Sequence, residues 1–114
     1  MRSRDSQAWV TALRGPTAIR DEATAELHAL LLRGARFKLT RARQALDDVS
    51  SQALDGLAFE AADAALDEVL AGLDGFRGTS RFTTWASKFV LREARLRLRQ
   101  LPAGRTPNGA LRED

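Results

Sequence analysis

The most distinctive spacing in the sequence belongs to basic residues near its carboxyl-terminal end. When residues are placed at intervals of about 100°, as on an α-helix, five of these cations fall within an arc about 60° wide. They are Arg81, Lys88, Arg92, Arg95 and Arg99. Like charges in one stripe repel each other, so a helix that keeps them is expected to face a polyanion or an acidic neighbour. The simpler alternative is a basic face that is only solvated.

The segment in front of this stripe has the composition of a loop that binds phosphates or bases. Arg77-Gly78-Thr79-Ser80 combines a cation, two hydroxyl groups and a glycine, which allows backbone amides to approach a ligand closely. Phe82 and Trp85 follow, and each either stacks on an unpaired base or packs in the core. Helical spacing favours the core for Trp85 and Phe89. Both interpretations stay open for Phe82, which lies in the first turn of the predicted helix.

Acidic side chains are concentrated in the middle of the chain. Residues 45–76 contain eight acids and no lysine or arginine, whereas the remainder of the chain carries a net charge of +11. Glu60, Asp63 and Asp67 share one face of the helix predicted there. This division predicts two differently charged partners, or acidic and basic helices that neutralise each other within the fold.

Residue types suited to other chemistry are scarce. The chain has no cysteine and a single histidine, so disulfides, a zinc site and a histidine-based catalytic triad are not expected. We interpret His28 as a packed or helix-surface residue, and Asp63 and Asp67 lack the Glu-x-x-His motif of carboxylate metal sites in bundles. We therefore expect neither an enzyme nor a cofactor. Without a signal peptide or a long apolar run, we expect a cytoplasmic protein that is not inserted in a membrane.

Four helical segments must position these residues. Helix-favouring residues dominate, and no stretch shows the alternation typical of strands. The breakers predict helices at about 5–14, 17–46, 53–73 and 81–101, with Ser50 or Ser51 capping the third helix and Ser80 capping the fourth. We expect an all-α, compact bundle of three to four helices over residues 1–102 and a disordered tail over 103–114.

Two apolar stripes predict which faces of the middle helices are buried. Gly34, inside the second helix, predicts close packing or a bend. The stripe of the second helix is Ile19, Ala23, Leu27, Leu30 and Leu31. That of the third is Leu54, Leu57, Ala58, Ala61, Ala62, Ala65, Leu66, Val69, Leu70 and Leu73.

One string of residues resembles a known family. FRGTSRFTTW (Phe76–Trp85), followed by a helix rich in Arg, Ala and Leu, is similar to the promoter −10 recognition domain, region 2, of bacterial sigma-70-type factors. The resemblance is strongest to the extracytoplasmic-function group and covers roughly residues 17–101. The positions that carry it are Leu73, Asp74-Gly75-Phe76, Arg77-Gly78, Ser80 and Phe82-Thr83-Thr84-Trp85.

The resemblance implies a role in transcription initiation as part of RNA polymerase holoenzyme. It implies that the last helix contacts the non-template strand and upstream duplex through Lys88, Arg92, Arg95 and Arg99. The loop before it would hold a base flipped out of the −10 element, at an unstacking cost of about a few kcal/mol. The residues of that loop are Arg77, Gly78, Thr79, Ser80, Arg81 and Phe82.

The resemblance also implies protein partners. The helix that carries Glu60, Asp63 and Asp67 would dock on a coiled coil of the polymerase β′ subunit, and an anti-sigma protein is a further expected partner. The family's Asp-x-x-Gln-Glu pattern reads Glu60, Asp63 and Ala64 here, so the glutamine is replaced and the second acid is lost. The family also carries a second, −35-reading domain, so we expect either one part of a two-domain factor or a stand-alone homologue. The alternatives are a helical nucleic-acid binder without initiation activity and a protein-interaction module.

Overall fold

The computed structural model describes residues 4–43 and 50–101 of the chain. Within these two ranges the chain forms four α-helices and no strand, which confirms the predicted all-α fold. The helices are α1 (Ser6–Leu13), α2 (Thr17–Arg43), α3 (Ser51–Ala71) and α4 (Phe82–Arg99), and a 3₁₀ turn (Leu73–Gly75) follows α3. Residues 44–49, which include most of the loop predicted before the third helix, and the predicted tail at 103–114 lie outside the described residues.

Two helices begin at caps that the local sequence encodes. The Asp5 carboxylate accepts a hydrogen bond from the Ala8 amide at 2.8 Å, and the Ser50 hydroxyl accepts one from the Ala53 amide at 3.0 Å. The sequence predicted either Ser50 or Ser51 as the cap of α3, and the structure shows that it is Ser50. Each bond satisfies an amide that has no partner within its own helix.

The start of α4 differs from the prediction. Ser80 is not its cap, because the cap position is Arg81 and the Ser80 hydroxyl donates instead to the Arg81 carbonyl at 3.4 Å. The amide of Phe82 donates to the hydroxyl of Ser6 in α1, at 2.9 Å. The prediction was wrong because tertiary packing brings a residue 76 positions away to the first turn of α4.

Helices α2, α3 and α4 each pack against the other two, and α1 packs on α2 and α4. The α3 side of the core is largely alanine, which allows neighbouring backbones to come close. A methyl group placed on Gly34 of α2 would lie 3.4 Å from the Val90 side chain of α4, so this glycine marks close packing. None of the helices in the described part of the chain combines the length and apolar character needed to cross a membrane.

The predicted apolar stripes are mostly buried, with two exceptions. Ile19 is 49% exposed and Leu70 is 36% exposed. Both lie in terminal turns of their helices, where fewer neighbours cover them. Helical periodicity describes the direction of a side chain but not how far along the helix the neighbouring elements extend.

A pair of carboxyl groups lies between α3 and α4. Glu93 is buried, and it is hydrogen-bonded to Glu68 and to the Arg97 guanidinium. Burial and the hydrogen bond to Glu93 raise the pKa of Glu68. The same hydrogen bond and Arg97 lower the pKa of Glu93, although burial opposes them. These opposite shifts favour a protonated Glu68 that donates to an ionised Glu93, as expected for adjacent carboxyls.

We expect Glu68→Gln to stabilise the protein at neutral pH. Because the folded-state pKa of Glu68 is raised, its favourable contribution is present in acid and is lost as pH rises through that pKa. Glutamine donates a hydrogen bond to Glu93 at every pH. The Tm of the variant at pH 7 should therefore be higher than that of wild type by about a few degrees. The two Tm values should be equal near pH 4, where Glu68 is protonated. Thermal unfolding followed by circular dichroism checks this. Asp67→Asn, on the exposed side of α3, is the control, and equal Tm values for Glu68→Gln and wild type at pH 7 would contradict it.

Candidate nucleic-acid interface

The loop between the 3₁₀ turn and α4 is a largely exposed corner that turns at a glycine. Gly78 has φ of +79°, a conformation that L side chains adopt only with strain. Arg77, Thr79 and Arg81 are exposed, and Ser80 is half-buried. The loop therefore presents cations, hydroxyl groups and backbone amides to solvent, as its composition predicts.

An aromatic cluster holds both ends of this loop. We use this name for Trp9, Phe76, Phe82, Trp85 and Phe89. The Phe82 ring stacks on Trp9 with centroids 5.4 Å apart, and it meets Phe76 edge-on at 5.4 Å and Trp85 at 5.6 Å. Phe76 and Phe82 flank the loop, so their contact closes it. Offset and edge-to-face ring pairs at these distances are favourable beyond the area they bury.

The structure corrects the interpretation of Phe82. Its side chain has no exposed surface, so it is not available to stack on a base, and it belongs to the core rather than to the candidate interface. Trp85 and Phe89 are half-buried and lie 5.0 Å apart in an edge-on pair. They therefore pack against the core, as their spacing predicts, while keeping one edge accessible.

The basic stripe lies on the side of α4 that points away from the core. Ala86, Val90 and Ala94 are fully buried on the opposite side of the helix. None of the stripe cations forms an ion pair with a carboxylate among the residues whose placement is described, and Arg92 lies over the Phe89 ring at 5.2 Å. The five exposed members are Arg81, Lys88, Arg92, Arg95 and Arg99. Their charge is thus directed to solvent.

The three acids predicted to bind polymerase are exposed, but two of them have partners within the fold. Asp63 lies 2.8 Å from the His28 imidazole of α2, and Glu60 lies 3.7 Å from the Arg97 guanidinium of α4. Asp67 makes no ion pair with the residues described here. The acidic helix is therefore partly neutralised by its neighbours, which was the second of the two interpretations of the charge distribution.

Helix α1 contributes to the candidate interface in a way that the sequence does not reveal. A cleft of about 430 Å³ lies between the start of α1 and the start of α4, lined by Arg4, Ser6 and Trp9 on one side and by Arg81 and Thr83 on the other. The Arg4 guanidinium is held by Glu26 through bonds of 3.0 and 3.1 Å. No local pattern links residues 4–9 to residues 81–83, so this contact could be found only in three dimensions.

We expect Ser6→Ala to destabilise the protein although Ser6 is far in sequence from α4. The variant leaves the Phe82 amide without its acceptor, and losing a cap costs about 1 kcal/mol, or about 4–8 °C in Tm for a domain of this size. Ser80→Ala is the matched control and should unfold near the wild-type Tm. Thermal unfolding of the two variants measures the difference, and an equal or larger loss in Ser80→Ala would contradict this assignment of the cap.

Within residues 4–43 and 50–101, no three histidine or acidic side chains lie close enough together to hold a metal ion. Comparison with known proteins identifies no matching family model, no similar curated protein and no similar solved structure.

Proposed function

We propose that this chain is a sigma-factor-like domain that binds the promoter −10 element as part of bacterial RNA polymerase holoenzyme. The observation that carries the proposal is the position of the FRGTSRFTTW string. Its residues 77–81 form a largely exposed, glycine-containing corner that leads directly into the exposed basic stripe of α4. The motif and the basic stripe overlap at Arg81 and continue into each other along α4.

The loop residues Arg77, Gly78, Thr79, Ser80 and Arg81 are proposed to hold an unstacked base. Flipping a base costs about a few kcal/mol, which contacts in the pocket must offset. A loop already closed by the aromatic cluster loses little conformational freedom on binding, so more of its contact energy remains for that purpose. Phe82 acts here as an anchor of the loop and not as a stacking partner.

The stripe residues Lys88, Arg92, Arg95 and Arg99 are proposed to contact backbone phosphates. Since none of the four forms an ion pair with a carboxylate in the described structure, binding a strand breaks no internal ion pair. Neutralising phosphates releases counterions, so affinity should fall steeply with salt.

Exchanging stripe cations should reduce the salt dependence of DNA binding. For Arg92→Gln combined with Arg95→Gln, we expect weaker binding to a single-stranded −10 oligonucleotide. The slope of log affinity against log salt should be smaller by about 0.7 for each cation that contacts phosphate. Arg20→Gln, an exposed cation in the first turn of α2, is the control. Fluorescence anisotropy over a salt series measures both quantities, and unchanged slopes in the double variant would remove α4 from the interface.

The exposed side of α3 is proposed to face the polymerase β′ subunit through Glu60, Asp63 and Asp67. Of these, Asp67 is the side chain with no ion pair in the described structure, so its charge is free to meet a basic partner. Docking would have to break or share two contacts: the hydrogen bond between Asp63 and His28, and the ion pair between Glu60 and Arg97.

Reversing the charge of Asp67 should weaken polymerase binding by several-fold. A lysine introduced at the interface is repelled by a basic partner, whereas a lysine introduced far from the interface has little effect on binding. We expect Asp67→Lys to co-purify poorly with core RNA polymerase and Glu22→Lys, on the exposed side of α2, to co-purify like wild type. Equal recovery of both variants would argue against docking through α3.

The second candidate is a helical nucleic-acid binder without initiation activity. It is favoured by the internal engagement of Glu60 and Asp63, which weakens the case for a polymerase surface. This candidate predicts steeply salt-dependent binding without sequence preference and no recovery with core polymerase. A protein-interaction module, such as one that binds an anti-sigma protein, predicts partner binding with no detectable affinity for DNA at low salt.

A further inference from the structure

A groove between α2 and α4 borders the basic stripe. It has a volume of about 460 Å³, with Leu30 and Arg33 on the α2 side and Thr84, Ser87 and Lys88 on the α4 side. Lys88 belongs to both the stripe and the groove, so the two surfaces are continuous. No carboxylate is among the residues that line the groove.

The same side of α2 carries an exposed aromatic ring between two cations. Counting about 100° per residue, Arg33, Phe37 and Arg41 fall within an arc of about 100° that also contains Gly34, the residue in contact distance of Val90 in α4. Phe37 is 65% exposed, the largest value among the exposed large apolar side chains. The Arg41 guanidinium lies over its ring, 5.5 Å from the centroid. We call Arg33, Phe37 and Arg41 the α2 platform.

We propose that the α2 platform binds an unpaired segment of nucleic acid, with one base stacked on Phe37 and the adjoining phosphates held by Arg33, Arg41 and Lys88. This inference rests on the proposed function and extends its binding surface from α4 across the groove to α2. An exposed ring flanked by cations, beside a groove whose lining residues include no carboxylate, matches the combination of stacking and charge found in single-strand binding sites.

Two physical arguments select a single strand over other occupants. Bases in a duplex are stacked on each other, so a ring can stack on a base only where pairing is open. A second copy of this chain would bring the same cationic surface against itself, and the two sets of charges would repel. Charge complementarity and the exposed ring both fit an unpaired polyanion.

The test compares two phenylalanines in similar settings. Phe59 of α3 is 43% exposed and has the Arg36 guanidinium 5.4 Å from its ring centroid, so it resembles Phe37 in being an exposed ring with a cationic neighbour, although Phe37 is more exposed. We expect Phe37→Ala to weaken binding of a labelled single strand of about 12 nucleotides by about ten-fold, and Phe59→Ala to leave it unchanged. Phe37→Trp, which keeps a stacking surface, should retain wild-type affinity. Both sites are exposed, and thermal unfolding of each variant checks that the fold is intact.

A second oligonucleotide of the same length, abasic at every position, isolates stacking from charge. Wild type and Phe37→Ala should bind it equally, since no base is present to stack. A loss in Phe37→Ala that is as large on the abasic strand would overturn the stacking role. Concentration-dependent self-association of wild type that Phe37→Ala abolishes would show that the platform is instead a protein contact, and would equally overturn the proposal.

The two proposals fail in different ways. If Phe37→Ala binds normally while Arg92→Gln with Arg95→Gln binds weakly, the α2 platform is refuted and the α4 interface stands. If wild type binds no single strand at low salt, the proposed function and the platform are both refuted.

Discussion

Burial of one aromatic ring, that of Phe82, is the constraint on which the candidate interface depends. The ring is covered by Trp9 of α1, by Phe76 before the loop and by Trp85 one turn further along α4. Burying a phenylalanine completely is worth roughly 2–3 kcal/mol, and the ring pairs add to this. Within the loop itself, the side-chain hydrogen bond is the long one of 3.4 Å from the Ser80 hydroxyl to the Arg81 carbonyl, so the ring contacts hold the loop more strongly. It is held because its two ends are fastened to a ring that cannot leave the core without exposing its surface.

Charged side chains between neighbouring helices form ion pairs, whereas, among the described residues, those of the basic stripe do not. Acids of α3 pair with His28 and Arg36 of α2 and with Arg97 of α4, whereas the five cations of the basic stripe form no ion pair with a carboxylate in the described part of the chain. Exposed ion pairs of this kind contribute little stability, on the order of 1 kcal/mol or less. Their larger effect is on the distribution of charge, because acids that are paired within the fold offset less of the positive charge of the basic stripe. A negatively charged strand would be attracted to that side from a distance.

The helices and the direction of the basic stripe could be predicted because both depend on short-range periodicity. Hydrophobic spacing assigns the buried sides of α2 and α3 correctly except in terminal turns, as Ile19 and Leu70 show. The errors concern contacts between distant parts of the chain. Ser80 is a plausible cap by sequence, yet Ser6 provides the bond, and Phe82 is buried by Trp9, which lies 73 positions earlier. Glu93 is a polar residue on the core side of α4, and only its hydrogen bonds to Glu68 and Arg97 explain why it is tolerated there.

The bond between Ser6 and Phe82 also limits when the contact between α1 and α4 can form during synthesis. Chains emerge from the ribosome with their amino-terminal end first, at about 5–20 residues per second. Helix α1 is complete early, but its aromatic and hydroxyl partners at the start of α4 emerge only after most of the chain has been made. Until then, Trp9 has no ring to cover and the loop has no second anchor. A nascent fragment that carries only α1, α2 and α3 therefore has neither the Ser6–Phe82 bond nor the ring contacts that hold the loop before α4.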